Sequence, residues 1–286
     1  MPEITDRLRA RLGERVERAT HKLKVGRKAV ELARGQDDRT VSARVFQEQL
    51  SPSERRQAAS FELALEAVRP QLFGLVGQLL EARQTRQWNV LIGDDTSARL
   101  PVRFVRKVFE GAGGPIDTQF ISTSKSTRGV KEEGVFDARA QQMVQGHTEP
   151  RALIVTESAG TYNGLEFLHG VMEPHCQTLD TAIVGARVAP PEGMELGEVY
   201  IGGQGDDAVK ATWNAFENPL RLSTKGRDDI GSEAVTGVTK NADPQSALAS
   251  VALGGDFPTL PAYCYSRMDE LAQEFLDGQG QVDIRS

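Results

Sequence analysis

A chain of 286 residues, 39% hydrophobic and 26% charged, is long enough to bury one large core or two smaller ones. A mean hydropathy of −0.39, with no run near the roughly 20 apolar residues that span a bilayer, argues against a helical membrane protein. Two cysteines, Cys176 and Cys264, lack the C-x-x-C spacing of a zinc or redox site and are too few for a disulfide framework, so both read as packing residues.

The net charge of −6 is unevenly spread: residues 1–86 hold 17 Lys and Arg against 12 Asp and Glu, and residues 191–286 hold 7 against 16. Attraction to polyanions is therefore expected only at the N-terminal end, with a solvated helix surface as the plainer reading. The first residues, M-P-E-I-T-D-R-L-R-A-R-L, lack the apolar core of a secretory signal, and a cytoplasmic location is expected.

Residues 5–34 suit a helix capped by Thr5, with Leu8, Leu12, Val16, Leu23, Val30 and Leu32 as an imperfect stripe and Gly35 as its end. A second helix is signalled by Ser51-Pro52-Ser53-Glu54, in which Ser51 caps, Pro52 opens and Glu54 closes a capping box. It should run to about Arg86, with Phe61, Leu63, Leu65, Val68, Leu72, Leu75, Val76, Leu79 and Leu80 available for packing and Pro70 able to kink it. Together these helices are expected to form a hairpin, a lid or a homodimer contact.

From Trp88 the period changes. V-L-I-G-D-D at 90–95 reads as a buried strand ending in two carboxylates, followed by a helix at 98–110 capped by Ser97 and a turn at Gly111–Pro115. A second strand is expected at 116–123. Residues 124–150, with Lys125, Arg128 and Lys131, read as an irregular functional loop. The third strand is expected at 152–157, a helix at 162–173, a fourth strand at 181–188 and a fifth at 199–202. A last helix is expected at 261–276, fraying from Asp277. Alternating strands and helices imply a mainly parallel sheet, with ligands at the strands' carboxyl ends, where the loops at 93–97 and 157–161 meet. The expected division is a helical extension over 1–86, an α/β core over 87–205 and a mixed C-terminal region over 206–286.

The strongest candidate site is R-A-L-I-V-T-E-S-A-G-T-Y-N-G at 151–164. Ala152 to Val155 form the apolar run, Glu157 falls at the strand's end, and Ser158, Ala159, Gly160 and Thr161 are small enough for backbone N–H groups to approach an anion. The alternative for Glu157 is a carboxylate that caps the next helix. For Asp94 and Asp95 the alternative is one cap and one solvated charge, with Arg99 and Arg103 as their ion-pair partners.

The order of these loops over residues 88–190 resembles the type I phosphoribosyltransferases. In that family a first strand ends in a pyrophosphate-binding loop, and a later one ends in the loop that holds 5-phosphoribosyl diphosphate. The second loop usually reads as apolar residues, two acids, a few variable residues and T-G-x-T. Here Thr156 stands in place of the first acid, Glu157 matches the second, Thr161 matches the first threonine, and Tyr162 and Gly164 depart from the pattern. Asp94-Asp95-Thr96-Ser97 occupies the place of the first loop, without its small Gly-Gly pair, and 124–150 occupies the place of a mobile loop.

The resemblance implies an α/β fold of phosphoribosyltransferase type with a phosphorylated small molecule as ligand. Glu157 would act at the ribose, with Thr156, Ser158, Ala159, Gly160 and Thr161 around the 5-phosphate. Mg²⁺ would sit near Asp94 and Asp95, with Thr96 and Ser97 beside it, and Lys125 and Arg128 would close over the diphosphate. Two other readings remain open: a non-catalytic nucleotide sensor or interaction module on the same fold, and a scaffold assembled through its N-terminal helices. Nucleic-acid binding is not expected, because the basic first helix lacks interleaved aromatics. P-loop, G-x-S-x-G and G-x-G-x-x-G motifs do not occur, and the H-x5-H-C spacing of His169, His175 and Cys176 matches no metal-ligand pattern.

Overall fold

The structure is a computed structural model that describes residues 42–94, 98–121, 133–217 and 259–282. The helix expected at 5–34 lies outside them. In chain order the elements are α1 (Ala43–Gln47), α2 (Pro52–Arg86), β1 (Val90–Asp94), α3 (Arg99–Gly113) and β2 (Asp117–Ile121). They continue as α4 (Glu133–Val144), β3 (Arg151–Ala159), α5 (Asn163–Met172), β4 (Thr178–Ala186), β5 (Val199–Gln204), α6 (Asp206–Thr212) and α7 (Thr259–Val282).

Among the described residues the five strands form one all-parallel sheet in the order β2-β1-β3-β4-β5. Strand side chains alternate between faces, and the two cores divide accordingly. Leu91, Leu153, Val155, Ala182 and Val184 join α2, α3 and α7 on one side. Val90, Ile92, Ala152, Ile154 and Ile183 join α4 and α5 on the other. Both faces are covered, which is why β1, β3 and β4 read as near-continuous apolar runs. This order is that of a doubly wound sheet whose direction of winding switches between β1 and β3, and the crevice at such a switch is where open α/β sheets take ligands.

The capping box at the start of α2 forms as expected: Ser51 Oγ accepts from Glu54 N at 3.3 Å, and Glu54 Oε2 accepts from Ser51 N at 2.8 Å. The helix runs unbroken from Pro52 to Arg86, with Pro70 inside it. Its buried stripe is Phe61, Leu65, Val68, Leu72, Leu75, Val76 and Leu79. Leu63 is 77% exposed, because a residue two places from Phe61 and from Leu65 points to the opposite side of a helix. This helix packs on β4 and β5 as part of the core, and the hairpin expected with the helix at 5–34 lies outside the described residues.

Three other expectations change. Residues 124–150 contain α4, whose Phe136, Ala140, Met143 and Val144 are buried at helical spacing. Helix α3 is capped at Ala98 without a side-chain bond and extends through Gly111 to Gly113, while Ser97 lies outside the described residues. Helix α7 reaches Val282 instead of ending near 276. Arg103 binds Asp269 of α7 in a fork, Nε to Oδ1 and Nη2 to Oδ2 both at 2.6 Å, with Asp269 only 3% exposed.

The amino edge of the sheet is closed by a polar cluster. Buried Asp180 accepts Trp88 Nε1–H and Glu198 N–H, each at 2.9 Å, while Arg86 lies 3.7 Å from it and also pairs with Glu198. Next to it, His169 Nε2 is 3.0 Å from Thr181 Oγ1, whose hydroxyl donates to Leu196 O at 2.9 Å. Since that hydroxyl has one proton to give, Nε2 must carry the hydrogen.

Burial holds the His169 imidazole at about 4, below its ordinary 6.5. The unfolded chain therefore takes up a proton below about pH 6.5 that the folded chain refuses until about pH 4. This contribution to stability is complete above the upper value and is lost as pH falls through the window, by up to about 3 kcal/mol. The expected result is a urea midpoint that falls between pH 6.5 and 4.5 by more in the wild type than in His169→Gln, whose amide can still donate to Thr181. Equal slopes would refute the assignment.

Candidate functional site

At the switch point β1 and β3 lie side by side, with Gly93 paired to Val155. One residue further along each strand stand Asp94 and Thr156. Asp94 is half-buried at the end of β1, opposite Ile121 of β2. Thr156 is buried, and its hydroxyl donates to Glu157 Oε2 at 3.3 Å. Glu157 and Ser158 are half-buried. Adjacent strands are about 4.8 Å apart, so the carboxyl-edge groups of β1 and β3 can share one small ligand.

Strand β3 is two residues longer than its expected end at Glu157. Ser158 and Ala159 stay in the ladder against Gly185 and Ala186, and Arg187 N–H donates to Ala159 O at 3.0 Å. The small side chains that suggested a loop are equally suited to close pairing between two buried strands. What remains as loop is Gly160, Thr161 and Tyr162. Gly160 and Thr161 are exposed, and a Cβ built on Gly160 would meet nothing within 4 Å.

Tyr162 is the residue that sequence reasoning treated as a mere departure. Its backbone is left-handed, φ 60° and ψ −11°, one of two positive-φ non-glycine residues among those described. Side chains rarely adopt that conformation, which costs on the order of 1–2 kcal/mol. Two interactions offset the strain: the ring is buried in the core beside α5, and the hydroxyl donates to Val188 O at 2.6 Å. Burial also raises the phenol's pKa. The turn delivers the chain into α5, a ten-residue helix with no side-chain N-cap.

The β1 side has its own constraint. A Cβ at Gly93 would stand 2.4 Å from the Phe120 ring, and that ring carries the Arg99 guanidinium 4.3 Å from its centroid. Arg99, the first residue of α3, is only 8% exposed, so a cation is held against Phe120 of β2, the ladder partner of Gly93. Asp94, Thr156, Glu157, Ser158, Ala159, Gly160 and Thr161 thus come to one edge of the sheet. Asp95, Thr96, Ser97, Lys125 and Arg128 lie outside the described residues.

No known protein family matches this chain, and no curated protein matches it in sequence. The reading of the site therefore rests on its geometry. A hard cation such as Mg²⁺ takes one or two carboxylates together with substrate phosphate oxygens, and Asp94 is an oxygen donor of that kind. Among the described residues no group of three His, Cys, Asp or Glu is gathered as a cage for a metal on its own. No helix among them is long and apolar enough to cross a membrane.

Proposed function

We propose that the crevice between β1 and β3 binds a ribose 5-phosphate moiety, on an α/β sheet of phosphoribosyltransferase type, and that 5-phosphoribosyl diphosphate is its donor ligand. The observation that carries this reading is the backbone at Tyr162. In the family that the 151–164 segment resembles, the loop reads T-G-x-T, and Tyr162 stands at the position of the glycine. Tyr162 adopts there the left-handed conformation that favours glycine, at a cost in strain. A turn held against its own side-chain preference supports a role in presenting Gly160, Thr161 and the first amides of α5 to a phosphate.

In this reading Glu157 accepts the ribose hydroxyls and steadies positive charge at the anomeric carbon. An acceptor's lone pair forms the new bond to that carbon as the bond to the diphosphate oxygen breaks, its electron pair leaving with the diphosphate and the acceptor losing a proton. Mg²⁺ would be held by Asp94, with Asp95 beside it in sequence, and would neutralise the leaving diphosphate. Arg99 adds a fixed positive charge near the same strand end.

A second reading keeps the ligand and drops the reaction. Thr156, at the place of the family's first acid, is buried with its hydroxyl turned to Glu157. A site with one carboxylate where two support the transition state suits a sensor of ribose phosphates. Thermal-shift titration with 5-phosphoribosyl diphosphate separates the readings when paired with a pyrophosphate-release assay. Saturable stabilisation that is larger with Mg²⁺ is expected from either, since a ligand selective for the folded state stabilises it by about 2.7 kcal/mol at 100 times its Kd. Pyrophosphate release, with water or an added nucleophilic acceptor taking the phosphoribosyl group, marks the enzyme, stabilisation without release in either case marks the sensor, and no shift at millimolar ligand refutes both.

A further inference from the structure

Helix α2 turns one row of side chains into the core and a second row to solvent. On the side opposite Phe61 and Leu65 stand Ala59, Leu63, Ala67 and Pro70, all exposed, at the three- and four-residue spacing that keeps them in line. The row ends at exposed Gly74, where a Cβ would stand 3.7 Å from Gly202 O of β5. It runs roughly 22 Å along the helix. In a chain with 26% charged residues, none of these five outward positions carries a charge. Leu63, near the middle, is the most exposed large hydrophobic side chain among the described residues. A surface helix ordinarily sets polar and charged residues opposite its core stripe, whereas one that is apolar on two sides lies between two packed layers.

The place where the described chain begins says what forms the outer layer. Ser42 donates its hydroxyl to Glu270 Oε1 of α7 at 3.0 Å, and Arg267 of the same helix donates from Nε to Glu62 Oε1 of α2 at 2.9 Å. Residues 1–41 therefore join the fold beside the first half of α2, close to the residue that precedes Leu63. The helix expected at 5–34 carries a row of its own, Val16, Ala19, Leu23, Gly26 and Val30, at the same three- and four-residue spacing.

The two rows are complementary in size. Laid antiparallel with Gly26 at Leu63, the first helix sets Val30 at Ala59, Leu23 at Ala67, Ala19 at Pro70 and Val16 at Gly74. Each larger side chain then meets a smaller one, the alternation that lets facing helices pack closely. The connection is long enough: residues 35–41 reach about 24 Å when extended, and a helix is about 10–12 Å across. A tether this short also raises the local concentration of its own segment far above that of a second copy.

We propose that residues 16–30 dock antiparallel on the solvent side of α2, over Ala59, Leu63, Ala67, Pro70 and Gly74, so that α2 lies between the sheet and the chain's own N-terminal segment. This surface is independent of any ligand in the crevice between β1 and β3.

Leu63→Asp in the full chain tests it, because a residue 77% exposed can take a charge without disturbing the core. Trypsin should cut after Lys22, Lys24 and Arg27 at least tenfold faster in the variant than in the wild type, since cleavage follows the undocked fraction. A second test pairs Gly26→Cys with Leu63→Cys in a Cys176→Ser background, Cys264 being fully buried. Mild oxidation should then give a disulfide within one chain, at monomer mass, that neither single variant forms. Equal cleavage rates in Leu63→Asp and the wild type would overturn the proposal. So would failure of the cysteine pair to link, and a link between two chains would make a second copy the occupant instead.

Discussion

Gly202→Ala is expected to lower the stability of the fold by about 3 kcal/mol, the upper end of what overpacking costs. A Cβ at this position would stand 2.3 Å from Gln71 O of α2 and 2.9 Å from Val184 O of β4. Both neighbours are backbone, so neither can swing aside as a side-chain tip would. Only separation of α2 from the sheet makes room, and α2 contributes eight buried residues to the first core. Gly77→Ala, on the same helix with nothing within 4 Å of its Cβ, is the control and should be neutral or slightly stabilising. Urea unfolding of the two variants checks this, and a Gly202→Ala midpoint equal to the wild type would mean that α2 does not approach β5 as closely as described.

Glu157→Gln is expected to reduce phosphoribosyl transfer at least 100-fold with little change in melting temperature. The amide keeps the shape and can still accept from the Thr156 hydroxyl. What disappears is the negative charge, and preorganised charge opposite a developing cation is worth about 10²–10³ in rate. Single-turnover pyrophosphate release at saturating donor is the measurement. A variant that turns over as fast as the wild type would remove Glu157 from the chemistry, while one that melts much lower would make it a structural carboxylate.

The two variants mark what was legible in the sequence and what was not. The apolar runs at 90–92 and 152–155 identified the central strands, because a strand buried on both faces has no polar alternation to disguise it. The capping box at Ser51 fixed the start of α2 to the residue. Strand ends were harder to read. Ser158 and Ala159 belong to β3 because β4 offers Gly185 and Ala186 as ladder partners, and that partnership exists only in three dimensions. Helix α4 was overlooked although Phe136, Ala140, Met143 and Val144 carry the helical period, because Asp137, Arg139, Gln141 and Gln142 between them dilute it.

At the site, the candidate carboxylates were visible as residues at strand ends, but the backbone of Tyr162 was not. A tyrosine gives no local signal for a left-handed turn. The strain is held by the Val188 carbonyl, 26 residues further along the chain. The pairing of Arg103 with Asp269 was likewise invisible, since it joins residues 166 apart.

The central claim is that the Gly160–Tyr162 turn holds a phosphate, and Gly160→Asp tests it most directly. An added side chain there meets nothing within 4 Å, so the variant should fold and melt like the wild type while placing a carboxylate where the anion is expected. Isothermal titration of 5-phosphoribosyl diphosphate with Mg²⁺ into both proteins is the measurement. The account predicts saturable binding to the wild type and at least a tenfold loss in Gly160→Asp, the equivalent of about 1.4 kcal/mol. Equal affinity in the two proteins, or no binding to the wild type, would contradict it.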